Sequence, residues 1–146
     1  METRVQAHVC YRLMYHIVWI PKYRYNLLIK DLEKYFEDTI KSVSADWYPD
    51  IEITELKIMS DHIHMVVIIP PKYSISNVIG DIKRHSSREL RKRFDYLRRG
   101  KEGMWSIGYY VSSVGLDEER IRKYVQYQEE QDSGRLKAVF EKEPRV

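Results

Sequence analysis

Two stretches of this sequence hold side chains that can bind a cation and present a phenol beside an amide. In DHIHMVV, His62 and His64 stand two residues apart. Along a β-strand that spacing sends both imidazoles to one face and turns Ile63 and Met65 to the other. Neutral imidazoles are borderline nitrogen donors suited to a divalent cation, and a strand fixes their separation without ordering a loop. A third ligand has to come from elsewhere. The same pair also reads as two half-buried polar residues of a strand. Asp61, next to the pair, reads as a turn residue, with orientation of an imidazole as the alternative. No HExxH helix of the zinc-protease kind is present, and Cys10 is the only cysteine, so neither a multi-thiolate zinc centre nor an intramolecular disulfide can form.

The second stretch is IRKYVQYQEEQ. Tyr124 and Gln128 are four residues apart, so a helix carries the phenolic oxygen and the amide on one face. Ile121 and Val125 share that face and turn it toward the protein. Tyr127 and Gln131 offer the same groups in a second register. Their face adds Lys123 and Glu130 and reads as solvated. Any one of the twelve tyrosines also has packing or simple exposure as its alternative.

Charge points to a third feature. The net charge is only +3, yet residues 82–99 carry eight Lys or Arg against two acids, which leaves −3 for the rest. A localised basic excess suits a polyanion such as nucleic acid, or else forms a solvated helix face. Lys83, Arg84, Arg88, Arg91, Lys92 and Arg93 are the candidates for phosphate contacts. Lys22, Tyr23, Arg24 and Tyr25 combine cations with rings able to stack on unpaired bases. His16 reads as a satisfied structural histidine. No nucleotide-binding glycine loop is seen.

These groups need elements to hold them. Residues 9–20 are rich in β-branched and aromatic types and read as a strand ending at Pro21. Apolar residues at three- and four-residue spacing predict a helix from Lys30 to about Trp47, with Asp31 at its start. A hairpin follows, from Ile51 to Ile58 and through the His62 strand. Ser74 or Ser76 caps a long helix through Val78, Ile79, Ile82, Leu90 and Phe94, with a break expected near His85. Residues 109–114 form a last strand, and Asp117 caps a helix from Glu118 to about Gln131. The order β-α-β-β-α-β-α predicts an α+β fold: a ferredoxin-like split βαβ with a four-stranded antiparallel sheet plus a C-terminal helix. At 146 residues, 43% of them hydrophobic and 32% charged, the chain reads as one domain with a polar tail over 131–146. The charged N-terminus and the short apolar runs point to a cytoplasmic protein without a membrane segment.

The blocks YHIVWIPKYR, DHIHMVV, KRHSSREL, MWSIGYYVSSVG and IRKYVQYQ occur in an order that resembles the single-tyrosine HUH transposases of the insertion sequence 200/605 type, the TnpA-like enzymes of bacterial and archaeal elements. The resemblance covers residues 11 to about 131. It implies a homodimer with shared sites, in which His62, His64 and Gln128 bind Mg²⁺ or Mn²⁺ and Tyr124 on the last helix is the nucleophile. It further implies recognition of single-stranded DNA folded into subterminal hairpins, and cleavage and rejoining through a 5′-phosphotyrosine. Ile107 stands where a basic residue is common in that family. The alternatives are a replication-initiation or relaxase-like nicking enzyme, for which the chain is short, or a domesticated DNA-binding or RNA-binding module, although no RGFGFV-like strand is present.

Overall fold

A computed structural model describes residues 3–22, 32–94 and 103–132. Its elements are β1 (Arg4–Gln6), β2 (Val9–Tyr11), β3 (Met14–Trp19), α1 (Glu33–Trp47), β4 (Glu52–Ile58), β5 (Ile63–Ile68), α2 (Ile75–Arg93), β6 (Tyr110–Ser112) and α3 (Glu118–Asp132). Strands β4, β5, β3 and β6 lie in that order in one sheet. All three neighbouring pairs are antiparallel. This is the ferredoxin-like arrangement with one helix added after the last strand.

The sheet separates two apolar layers, because alternate residues of a strand point to opposite faces. From one face Ile17, Trp19, Ile63, Met65 and Val67 pack against Phe36 and Ile40 of α1 and Val78, Ile79, Ile82 and Leu90 of α2. From the other, Val18, together with Ile20 just beyond β3, packs against Tyr124 and Val125 of α3.

Local signals explain most boundaries. Ser74 takes the backbone N–H of Asn77 at 3.1 Å, the capping interaction that satisfies an orphan donor in the first turn of α2. Asp117 does the same for Arg120 at 2.7 Å at the start of α3. Helix α1 starts behind Leu32 without a side-chain cap, and Asp31 lies outside the described residues.

Two expectations need correction. Residues 9–20 are two strands, because the ladder is interrupted at Arg12 and Leu13 and β2 pairs back on β1 in a separate hairpin. That hairpin is tied to the main body by Arg4 on Glu52 at 2.9 Å and Gln6 on Asp50 at 2.8 Å. Helix α2 runs unbroken through His85, whose ring is buried and stacks on Trp47 at 3.9 Å, so packing holds the helix straight where a polar residue suggested a break. Helix α3 includes Gln131 and Asp132, and residues 133–146 lie outside the described residues.

Removing the fully buried ring of Phe36 in Phe36→Ala is expected to cost about 3–5 kcal/mol through lost burial and an unfilled cavity. Ile107→Ala, at a side chain 82% exposed, is expected to shift stability by less than ~0.5 kcal/mol. Urea unfolding of the two variants beside the parent measures both.

Candidate active site

Strand β3 brings the two candidate stretches to one face. Val18 pairs with His64 of β5 on one side and with Tyr110 of β6 on the other, and directly opposed residues in antiparallel strands share a face. The Tyr110 and Tyr124 rings stand 5.7 Å apart, and Tyr124 packs in the cluster that contains Val18. The histidine strand and the tyrosine helix are therefore neighbours across a single residue.

The two imidazoles are prepared differently. His62 Nδ1 lies 2.7 Å from Asp61 Oδ1, a contact that fixes the ring and directs Nε2 away from the carboxylate. Asp61, expected chiefly as a turn residue, thus also holds an imidazole. His64 has its pKa pushed below the ordinary value by burial and by neighbouring His16, with Glu55 opposing the shift. Its Nε2 is buried and has no hydrogen-bond partner among the described residues. A neutral ring with an uncommitted nitrogen is the state in which imidazole binds a cation.

His16 differs from its expected role as a satisfied residue. Its ring lies 5.7 Å from that of His64, and its Nδ1 is buried without a hydrogen-bond partner among the described residues. Among those residues no group of three His, Cys, Asp or Glu side chains converges to hold a metal. The amide oxygen of Gln128, which the resemblance makes the third ligand, is a donor of another type.

On α3, Tyr124 is 4% exposed and Gln128 8%, so both point inward with Val125. Burial raises the Tyr124 phenol well above its ordinary pKa, and the nearby Asp132 carboxylate and Tyr127 add to the shift. Tyr127 is itself partly buried against the same cluster, so its face is less solvated than the sequence pattern suggests. Gln128 donates from Nε2 to Asp132 Oδ1 at 3.4 Å. Its Oε1 lies 4.0 Å from where a Cβ on Gly108 would be, and Gly108 has φ +94°, a conformation that side chains disfavour.

The basic residues of α2 divide into distinct groups. Lys83 turns inward and donates to the carbonyls of Ser106 and Gly108 at 2.7 and 2.6 Å. Burial lowers its pKa to about 8, with Asp132 opposing. It acts as a clasp on the segment before β6 and also lines the groove formed with Arg84 and Arg88. Arg84 pairs with Asp81 at 2.5 Å and Lys92 with Glu89 at 3.5 Å, while the Arg93 guanidinium lies 4.8 Å above the Tyr35 ring. Arg84, Arg88, Arg91 and Lys92 line an open groove of about 810 Å³ together with Trp105 and Tyr109, which the linear sequence did not reveal. Lys22 follows β3, and its backbone N–H donates to Met104 O at 2.7 Å. Tyr23, Arg24 and Tyr25 lie outside the described residues.

Comparison with known proteins adds an independent line. The family described as "Transposase IS200 like" matches residues 9–128. The transposase for insertion sequence element IS200 of Salmonella typhimurium is 35% identical over 134 residues, covering 90% of this chain and 86% of that protein. The ISDra2 transposase TnpA of Deinococcus radiodurans is 24% identical over 135 residues, covering 90% and 95%. A crystal structure described as a transposase from Deinococcus radiodurans superposes with a TM-score of 0.74 at 22% identity, over 86% of this chain and 97% of that one. A tyrosine transposase bound to a REP hairpin superposes at 0.52 and 14% identity, over 92% and 74%. These two superpositions bear on the fold.

The lowered pKa of His64 has a measurable consequence. Folding favours its neutral form, so the associated stability is present above the ordinary value of 6.5 and is lost as pH falls through the lowered one, where the unfolded chain binds the proton first. Between pH 7.5 and 5 the metal-free parent is expected to lose more stability than His64→Gln in urea titrations. Equal losses would remove this account of the ring.

Proposed function

This chain belongs to the IS200-like transposases, and from that premise we propose that it cuts and rejoins single-stranded DNA at insertion-sequence ends through a phosphotyrosine on Tyr124. The observation that carries this reading is the packing of Tyr124 on Val18, the residue that pairs with His64 in the neighbouring strand. His62, held by Asp61, and His64, held neutral by burial, present ring nitrogens, and Gln128 is the third ligand. A bound Mg²⁺ or Mn²⁺ would supply Lewis-acid polarisation of the scissile phosphate and stabilise the charge that builds on it. Tyr124 Oη attacks phosphorus and releases its proton. The bond from phosphorus to the 3′ oxygen breaks, and that oxygen leaves as a 3′-hydroxyl after taking up a proton. The 5′ phosphate stays on the tyrosine. Because the ester keeps the energy of the broken phosphodiester, a second 3′-hydroxyl can attack it without a nucleotide cofactor.

The buried, strongly protonated phenol is a poor nucleophile where it lies. A phosphodiester reaches it once α3 yields from Val18 and Tyr110. A homodimer with shared sites rests on the family resemblance and not on this packing, which sets Tyr124 and His64 of one chain on the same sheet face. The basic groove on α2, with Arg84, Arg88, Arg91 and Lys92, is suited to the backbone of a DNA hairpin, and contacts of that kind position without reading sequence. The described residues include no helix long and apolar enough to cross a membrane. We place the enzyme in the cytoplasm of a bacterial or archaeal cell, as one domain over residues 1–146.

Tyr124→Phe is expected to abolish the covalent adduct with a labelled hairpin-bearing strand on a denaturing gel, whereas Tyr127→Phe keeps it. The reverse pattern would move the nucleophile by one helical turn. The adduct should carry the 5′ side of the break, and a perfect duplex should be a poor substrate; equal cleavage of the duplex argues for a different nuclease.

Subunit sharing is tested by mixing Tyr124→Phe with His64→Ala. Each is expected to fail alone and to regain cleavage after exchange. No recovery despite verified exchange would confine the site to one chain.

A further inference from the structure

An amide side chain has one end that can bind a cation and one that cannot: the oxygen carries lone pairs, and the NH₂ group only donates. A glutamine ligand therefore works only if something decides which end faces the metal. Facing Gln128 one turn later on α3 is Asp132, and an ionised carboxylate accepts hydrogen bonds without donating any.

We infer that Asp132 is a positioning residue that holds the Gln128 NH₂ group and so offers the amide oxygen to the metal; this rests on the ligand role proposed above for Gln128. The contact is Nε2 to Oδ1 at 3.4 Å. The other carboxylate oxygen, Oδ2, accepts from the hydroxyl of Ser106. Ser106 is 1% exposed, and its backbone N–H donates to Ile20 O at 2.9 Å. The carboxylate is thus tied to the continuation of the central strand.

Behind Ser106 stands Lys83, whose ammonium binds the carbonyls of Ser106 and Gly108 and holds the segment from the far side. Gly108, at the end of that segment, takes φ +94°, a conformation that side chains disfavour. Sheet edge, carboxylate and amide form one chain of contacts that ends on the candidate ligand. The cleavage chemistry makes no direct use of Asp132, and a carboxylate needed only for helix solubility would face water instead of Ser106.

Mn²⁺ titration of the DNA-free protein tests the inference, with hairpin affinity measured in parallel. Asp132→Ala is expected to weaken Mn²⁺ binding by about tenfold or more, the usual effect of removing a group that orients a metal ligand, while hairpin affinity stays unchanged. Asp132→Asn keeps an oxygen acceptor and is expected to recover most of the loss. In the metal-free parent, the Gln128 side-chain NH₂ signals in a ¹⁵N spectrum should shift on Asp132→Ala. A loss in Asp132→Asn as large as in Asp132→Ala would assign the effect to charge and overturn positioning. Unchanged Mn²⁺ affinity in Asp132→Ala, with binding abolished in His64→Ala, would also overturn it. Full Mn²⁺ affinity in both variants would instead sink the metal-ligand reading beneath it. If Asp132→Ala does not fold, Ser106→Ala loosens the same carboxylate and is expected to weaken Mn²⁺ in the same direction; no change there overturns the inference.

Discussion

Strand Met14–Trp19 has to satisfy two apolar layers at once, and the rest of the molecule depends on that constraint. Ile17 and Trp19 are fully buried under α1 and α2, and Val18 is fully buried under α3. A slip of one residue in its pairing would exchange the faces and carry His64 away from the tyrosine helix. Burial on both sides, with a neighbour on each edge, fixes the register on which the site is assembled. A strand exposed on one side would tolerate such a slip far more easily.

Polar groups on the α3 face then work against a low-polarity background. Burial keeps His64 neutral and Tyr124 protonated, and the same burial gives each fixed dipole or carboxylate more influence than it would have in water. Asp61 on His62 and Asp132 on Gln128 each set the orientation of a group that has two chemically different ends. In both cases the carboxylate is close in sequence to its partner, one residue away on a strand entry and four away on a helix. Orientation is thus handled locally, and only the meeting of strand and helix is long-range.

Positive charge on α2 is divided in the same economical way between structure and surface. Lys83 is drawn inward to two backbone carbonyls, while Arg84, Arg88, Arg91 and Lys92 line a groove. A cation that bridges two backbone carbonyls ties the segment before β6 to α2. Cations on a groove wall, among them Arg84 paired with Asp81 and Lys92 with Glu89, lie where water and ions reach them, so their interactions weaken with salt.

Much of this was legible in the linear chain. Apolar periodicity and capping residues marked α1, α2 and α3, and the alternation of DHIHMVV marked β5, because those signals act within one turn or one pleat. The inward face of α3 could be read from Ile121, Tyr124, Val125 and Gln128 for the same reason. The N-terminal hairpin was not legible, since Arg12 and Leu13 carry no turn chemistry and the β-rich run continues across them. The unbroken course of α2 past His85 depends on Trp47, thirty-eight residues earlier. The packing of Tyr124 on the residue paired with His64, the nearness of the His16 and His64 rings, the contacts of Lys83 with Ser106 and Gly108 and the link from Ser106 to Asp132 likewise required the assembled sheet. Each joins segments far apart in the chain, and a local pattern can show which way a side chain points on its own element but not which distant element will cover it.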